Sequence, residues 1–218
     1  MTFCLKTTIV KPESNNPINN AVILLHGYGG DGSDISMLTL GWKRFLPNTI
    51  FLSPNGHEKC SINPSGFQWF DLTKDDPQYI LEQSKIAEIK LIKFINEVKN
   101  EYNLKNSQIC LSGFSQGCMM SINLGLTNDE NFNCIVGFSG KIINQEDLIK
   151  RKIASTKMLL IHGDKDRVVS PTFLLEIKDF LIRNKVEVET KMIKNCDHNI
   201  PVEASSYALN YIKNNLKV

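Results

Sequence analysis

Gly113-Phe-Ser-Gln-Gly117 is the segment of this chain with the most chemistry in it. It follows an apolar run, Ile109-Cys-Leu-Ser112, and precedes a helical one, Met119 to Leu126. G-x-S-x-G between a strand and a helix makes a turn too sharp for side chains on its flanks, and it lifts the central hydroxyl above the sheet. The new helix points its free N–H groups at the same place, where an oxyanion can be held. Ser115 is therefore the candidate nucleophile.

A serine hydroxyl is a weak nucleophile until a base takes its proton, and the base needs an acid to orient it. On a strand-turn-helix of this kind the chain order is Ser, acid, His. His26 and His57 precede Ser115, and His162 has no suitable acid before it, which leaves His198 of the four histidines. His198 lies in Cys196-Asp-His-Asn-Ile200, just before Pro201 opens the last helical stretch. The acid should follow a strand, and His162-Gly-Asp-Lys-Asp166 offers both Asp164 and Asp166. The residues alone do not choose between them.

His26-Gly-Tyr-Gly-Gly-Asp-Gly32 follows another apolar run and, from Gly27, reads G-x-G-x-x-G. A dinucleotide site on such a loop requires an acid at the end of the next strand to hold the ribose. That strand, Thr49 to Ser53, runs into Pro54-Asn55 instead. The glycines are better explained by a loop that turns back over the nucleophile, so that Tyr28 N–H and Gln116 N–H form an oxyanion hole. No metal or cofactor is expected.

The elements that must position these residues are legible as short apolar runs alternating with helical stretches, the pattern of an α/β fold with a mainly parallel sheet. Ala21–Leu25, Thr49–Leu52, Ile109–Ser112, Cys134–Phe138 and Met158–Ile161 are continuous enough to be buried parallel strands. Phe3–Val10 and Val186–Ile193 alternate more and suit the sheet edges. Asp75-Asp-Pro77 opens a helix that runs to about Tyr102, with an acid to cap it and proline in its first turn. Further helices are expected over 33–45, 115–126, 145–152, 171–184 and 201–216. The stretch from Ser53 to Thr73 carries no periodicity and is long for a loop, a hallmark of function.

Composition narrows the classes. Lys plus Arg is 25 against 23 for Asp plus Glu, a net charge of +2 over 218 residues, which provides no basic footprint for nucleic acid. The apolar runs fall far short of the roughly 20 residues that span a bilayer. Met1 to Val10 has neither a basic start nor a long apolar core, so the cytoplasm is the expected location. The six cysteines show no metal spacing and are expected to be reduced and mostly buried. One domain over 1–218 is expected.

Taken together, these segments resemble the acyl-protein thioesterase and carboxylesterase branch of the α/β-hydrolase superfamily, also called phospholipase/carboxylesterase. The resemblance spans almost the whole chain and rests on Leu25-His-Gly-Tyr-Gly29, Trp69-Phe-Asp71, Gly113-Phe-Ser-Gln-Gly117, His162-Gly-Asp-Lys-Asp166 and the late His198. It implies an α/β-hydrolase fold with helices on both faces and no separate lid domain. It also selects Asp166 as the acid and agrees with Tyr28 and Gln116 as oxyanion donors. Phe67, Trp69 and Val169 are expected to line an acyl-binding face, Trp69 with the alternative of packing beneath the loop. Cys118 and Met119 stand where small residues are usual, beside the nucleophile, and Asp197 stands where glycine is common. The implied reaction is hydrolysis of short-to-medium acyl esters or thioesters through an acyl-enzyme on Ser115. The expected partner is such a small substrate, with an acylated lipid or protein and a second copy of the chain kept as candidates. A different class, a silent scaffold that binds a lipid or a partner protein, is disfavoured because all three triad positions are filled. A dienelactone hydrolase would carry Cys at position 115.

Overall fold

In the computed structural model, which describes residues 3–12, 17–151 and 153–217, seven strands form one sheet in the order β1-β3-β2-β6-β7-β8-β9. These are β1 (Thr7–Val10), β2 (Asn20–Leu25), β3 (Thr49–Pro54), β6 (Ile109–Phe114), β7 (Cys134–Phe138), β8 (Met158–Gly163) and β9 (Val188–Ile193). A two-stranded hairpin, β4 (Glu58–Lys59) with β5 (Phe67–Gln68), lies in the long loop. Only β1 runs antiparallel in the large sheet, on the edge. The helices are α1 (Gly32–Ser36), α2 (Thr39–Trp42), α3 (Pro77–Tyr102), α4 (Gln116–Thr127), α5 (Gln145–Lys150), α6 (Thr172–Arg183) and α7 (Val202–Leu216).

The continuous apolar strands are explained by burial on both faces. Ala21, Ile23 and Leu25 of β2 join Ile109 and Leu111 of β6 in one core, closed by α3, α4 and α6 through Leu91, Phe94, Met120, Ile177 and Phe180. Val22 and Leu24 join Cys110, Cys134 and Val136 in the other, closed by Trp42 and by Ala208, Tyr211 and Ile212 of α7. Cys110 and Cys134 are thus buried neighbours in register on β6 and β7.

The helix expected over 33–45 is divided. It becomes α1, α2 and a 3-10 turn over Lys43–Phe45, because the chain turns at Met37–Leu38 while Ile35 and Trp42 still face the core. The helix expected over 145–152 ends at Lys150, and Lys152 lies outside the described residues. Helix α3 begins as anticipated, with the Asp76 carboxylate accepting from the Tyr79 N–H at 2.9 Å. Among the described residues, no helix is long and apolar enough to cross a membrane.

Candidate active site

The turns after parallel strands β2, β6, β8 and β9 bring the site together at one end of the sheet, where α/β folds place their ligands. Leu25 is paired with Gly113, so the glycine loop after β2 leaves the sheet beside the turn after β6. Ser115 occupies that turn at φ 52° and ψ −115°, a conformation costly for an L residue. Its surroundings leave it little alternative. The Ser115 N–H donates to Phe138 O at 2.8 Å, and the flanking backbone is crowded. A Cβ on Gly113 would come within 2.3 Å of the Gly117 carbonyl, and one on Gly117 within 2.1 Å of Leu25 O. Both glycines are thus required by close approach of backbone to backbone.

His198, in the loop between β9 and α7, sits with Nδ1 2.7 Å from Asp166 Oδ2. Asp166 Oδ1 accepts from the N–H groups of Val168 and Val169, each at 2.9 Å. Burial pushes the Asp166 carboxyl up, but the hydrogen bonds from His198, Val169 and Val168 outweigh it and hold the group below the usual carboxylate range. An ionised Asp166 keeps the proton on His198 Nδ1 and leaves Nε2 as the basic nitrogen. Asp164 serves elsewhere, with Oδ1 accepting from Cys196 N–H at 3.3 Å.

His162, which has no suitable acid before it in the chain, lies behind Asp166. Its Nε2 lies 3.4 Å from Asp166 Oδ2 and 2.9 Å from Val169 O. A carbonyl only accepts, so the proton is on Nε2, and burial lowers the pKa and keeps the ring neutral.

The glycine loop is braced from beneath. His26 is buried, with Nδ1 bonded to Gly27 O at 2.7 Å and Nε2 accepting from Gly56 N–H at 2.8 Å. Its ring stacks on Trp69 at 5.2 Å between centroids. Trp69 Nε1 donates to His26 O at 2.9 Å. Gly29 N–H donates to Phe67 O, and Phe67 N–H donates to Gly30 O, at 2.9 and 2.8 Å. The Gln116 side chain completes the brace: Oε1 accepts from Trp69 N–H at 2.8 Å and Nε2 donates to Phe70 O at 2.6 Å. Among the described residues, the N–H groups of Tyr28 and Gln116 donate to no protein atom. Both residues line the cavity that holds Ser115.

That cavity, of about 430 Å³, is lined by Ser115, His198, Met119, Phe70, Val168 and Val169 among others. Phe67 and Trp69 do not line it, which corrects the expectation that they form the acyl-binding face. Trp69 is wholly buried under the glycine loop. Phe67 is spent on the backbone clamp, its ring covered by the Lys59 ammonium at 4.0 Å. Val169 lines the cavity. Met119 reaches the cavity, whereas Cys118 points beneath the turn against Gly137 and Gly140, where burial pushes its thiol up to about 12. A second cavity of about 980 Å³ shares Tyr28, Phe114 and His198 but not Ser115 or Gln116.

The profile of the family described as phospholipase/carboxylesterase matches residues 6–216. Esterase YpfH of Escherichia coli is 25% identical over 206 residues, covering 91% of this chain and 84% of the relative. Acyl-protein thioesterase 1 of Saccharomyces cerevisiae is 28% identical, over 92% and 94% of the two chains. Among solved structures, esterase PE8 superposes with a TM-score of 0.91 at 31% identity, covering 96% of this chain and 98% of its own. The chain accordingly belongs to the phospholipase/carboxylesterase family of α/β-hydrolases and is an ester-bond hydrolase.

Proposed function

We propose that the protein hydrolyses carboxylic esters or thioesters of short-to-medium acyl chains through an acyl-enzyme on Ser115. The observation that carries this reading is the 2.7 Å bond from His198 Nδ1 to a buried Asp166, with His198 bordering the same cavity as Ser115. His198 Nε2 takes the Ser115 proton as Oγ attacks the acyl carbonyl. Tyr28 and Gln116 N–H groups hold the oxyanion. The imidazolium then protonates the departing alcohol or thiol, whose bond to the acyl carbon breaks. Water loses a proton to Nε2, attacks the acyl-serine and releases the acid, with Ser115 recovering its proton. Asp166 stabilises the imidazolium in each half-reaction.

The 430 Å³ cavity lies toward the small end of ligand pockets, about 300 to 1,000 Å³, which supports an acyl chain of modest length. Its wall of Phe70, Met119, Val168 and Val169 favours an aliphatic chain. One domain over the whole chain carries the reaction in this reading.

With p-nitrophenyl butyrate, Ser115→Ala is expected to lose about 10⁴-fold or more in kcat/KM, and a fluorophosphonate probe should label wild type at Ser115 alone. Equal rates for the two proteins, or no labelling at Ser115, would remove Ser115 as the nucleophile.

A further inference from the structure

The 980 Å³ cavity is more than twice the volume of the one beside Ser115, and the mechanism above leaves it unused. It is a groove between the α1–α2 segment and α7. Trp42 Nε1 donates to Ser205 Oγ at 2.9 Å between its two walls. Met37, Phe45 and Val202 lie on its lining with 63%, 38% and 83% of their surface exposed, an apolar rim left open to solvent. Its charges are one acid, Asp34, and one base, Arg44, whose guanidinium lies 4.6 Å from the Phe45 ring centre. Nothing there selects a net charge.

Where the groove meets the site decides what it can hold. It borders His198, Phe114 and Tyr28 but neither Ser115 nor Gln116. The acyl carbon must bond to Ser115, and its oxygen must face the Gln116 N–H, so the acyl half belongs to the smaller cavity. The leaving atom must instead take its proton from His198. We propose that this groove binds the alcohol or thiol half of the substrate, and that the enzyme selects esters whose leaving group is large, apolar and uncharged. The proposal rests on the catalytic assignment above. It makes His198 the divider of a two-sided site, with Phe114 against its ring at 4.7 Å.

Gly41 offers a clean test. It lies on the groove wall, and a Cβ there would meet nothing within 4 Å, so a side chain can be added without disturbing the backbone. Ser206, exposed on the α7 wall, provides an independent plug. Two ester series would be compared by kcat/KM, which reports acylation and therefore sees the leaving group. One holds butyrate constant and lengthens the alcohol from methyl to hexyl; the other holds methanol constant and lengthens the acid. Each buried methylene is worth up to about fourfold. Partial burial in an open groove should still raise the wild-type rate about tenfold or more between methyl and hexyl butyrate.

Gly41→Phe and Ser206→Phe should each remove most of that rise, while methyl butyrate and methyl decanoate stay within about twofold of wild type. Unchanged methyl butyrate turnover also shows that each variant folds. A flat alcohol series in wild type, or plugs without effect on hexyl butyrate, overturns the proposal. So do plugs that cut methyl decanoate instead, because the groove would then hold the acyl chain. If Ser115→Ala hydrolyses methyl butyrate at the wild-type rate, it is the catalytic assignment that fails.

Discussion

The two arms of the site are held by different physics. On the arm of the proposed nucleophile, Ser115 keeps its unusual backbone because main chain meets main chain, with Gly113 and Gly117 pressed against carbonyls that cannot move aside. On the arm of the proposed acid and base, Asp166 and His198 sit in loops after β8 and β9 and are held by hydrogen bonds to a charged group: Val168, Val169 and His198 all converge on one carboxylate. Steric arrest is indifferent to pH and intolerant of added volume. A charge-centred network is the reverse, tolerant of shape and sensitive to protonation.

The largest effect should come from the charge at the centre of the second arm. Asp166→Asn keeps the shape but can leave His198 in the wrong tautomer, with Nε2 no longer basic. A loss of about 10³ to 10⁴-fold in kcat is expected. Asp164→Asn, which touches Cys196 N–H and not His198, should stay within a fewfold. Comparable losses in the two variants would dissolve the distinction between the aspartates.

Next in size is a methyl group on the first arm. Gly117→Ala would drive Cβ to 2.1 Å from Leu25 O, and neither backbone can yield without displacing β2 or α4. Overpacking of this kind is expected to cost about 3 kcal/mol or more, read as a lowered urea midpoint together with lost activity. Full stability in that variant would mean the turn is not arrested by contact.

How far each arm could be read from sequence follows from the same contrast. The Ser115 turn was legible because steric need writes itself into residue type: a glycine on each side of Ser115, between an apolar run and a helix. The sheet was legible for a related reason, since strands buried on both faces must be continuously apolar. The choice of Asp166 over Asp164 came from resemblance, because two carboxylates two residues apart look alike until the loop aims them. The support of the glycine loop was hidden as well. Trp69 in a loop without periodicity reads as a pocket wall as easily as a brace, and strands of two residues, as in the 53–73 hairpin, are too short to show alternation. The 980 Å³ groove left no signature, because its walls come from segments far apart in the chain.

Within the first arm, the Gln116 side chain ties the Ser115 turn to the loop that braces Tyr28. Gln116→Ala keeps the backbone N–H but strips the partners from Trp69 N–H and Phe70 O, both buried. A cost of about 2 kcal/mol is expected, with a moderate drop in kcat as the brace loosens. Unchanged stability would show that the Ser115 turn and the glycine loop are assembled independently.

The smallest effect distinguishes the arms by pH. His26 beneath the glycine loop accepts from Gly56 N–H through Nε2, so it must stay neutral to keep that bond, and burial lowers its pKa. His162 behind Asp166 is neutral for the same reason. In the unfolded chain both titrate near 6.5. Above that value neither state binds the proton and stability is flat. Below it the unfolded chain gains protons that the folded one refuses, and stability falls until the depressed folded values are passed, by at most about 1.4 kcal/mol per pH unit for each histidine. Asp166 acts in a separate, more acidic window: its folded pKa is also depressed, so its contribution is complete above about 4 and is lost as pH falls through the folded value. Urea unfolding from pH 7.5 down to 3 should therefore show stability falling below about 6.5 and a further loss below about 4, and the imidazole ¹⁵N shifts of His26 should remain those of the Nδ1–H tautomer below pH 6.5. A His26 that titrates at 6.5 or above would mean that the Gly56 bond does not hold the loop, and the nucleophile side of the site would then lose its claim to be indifferent to pH.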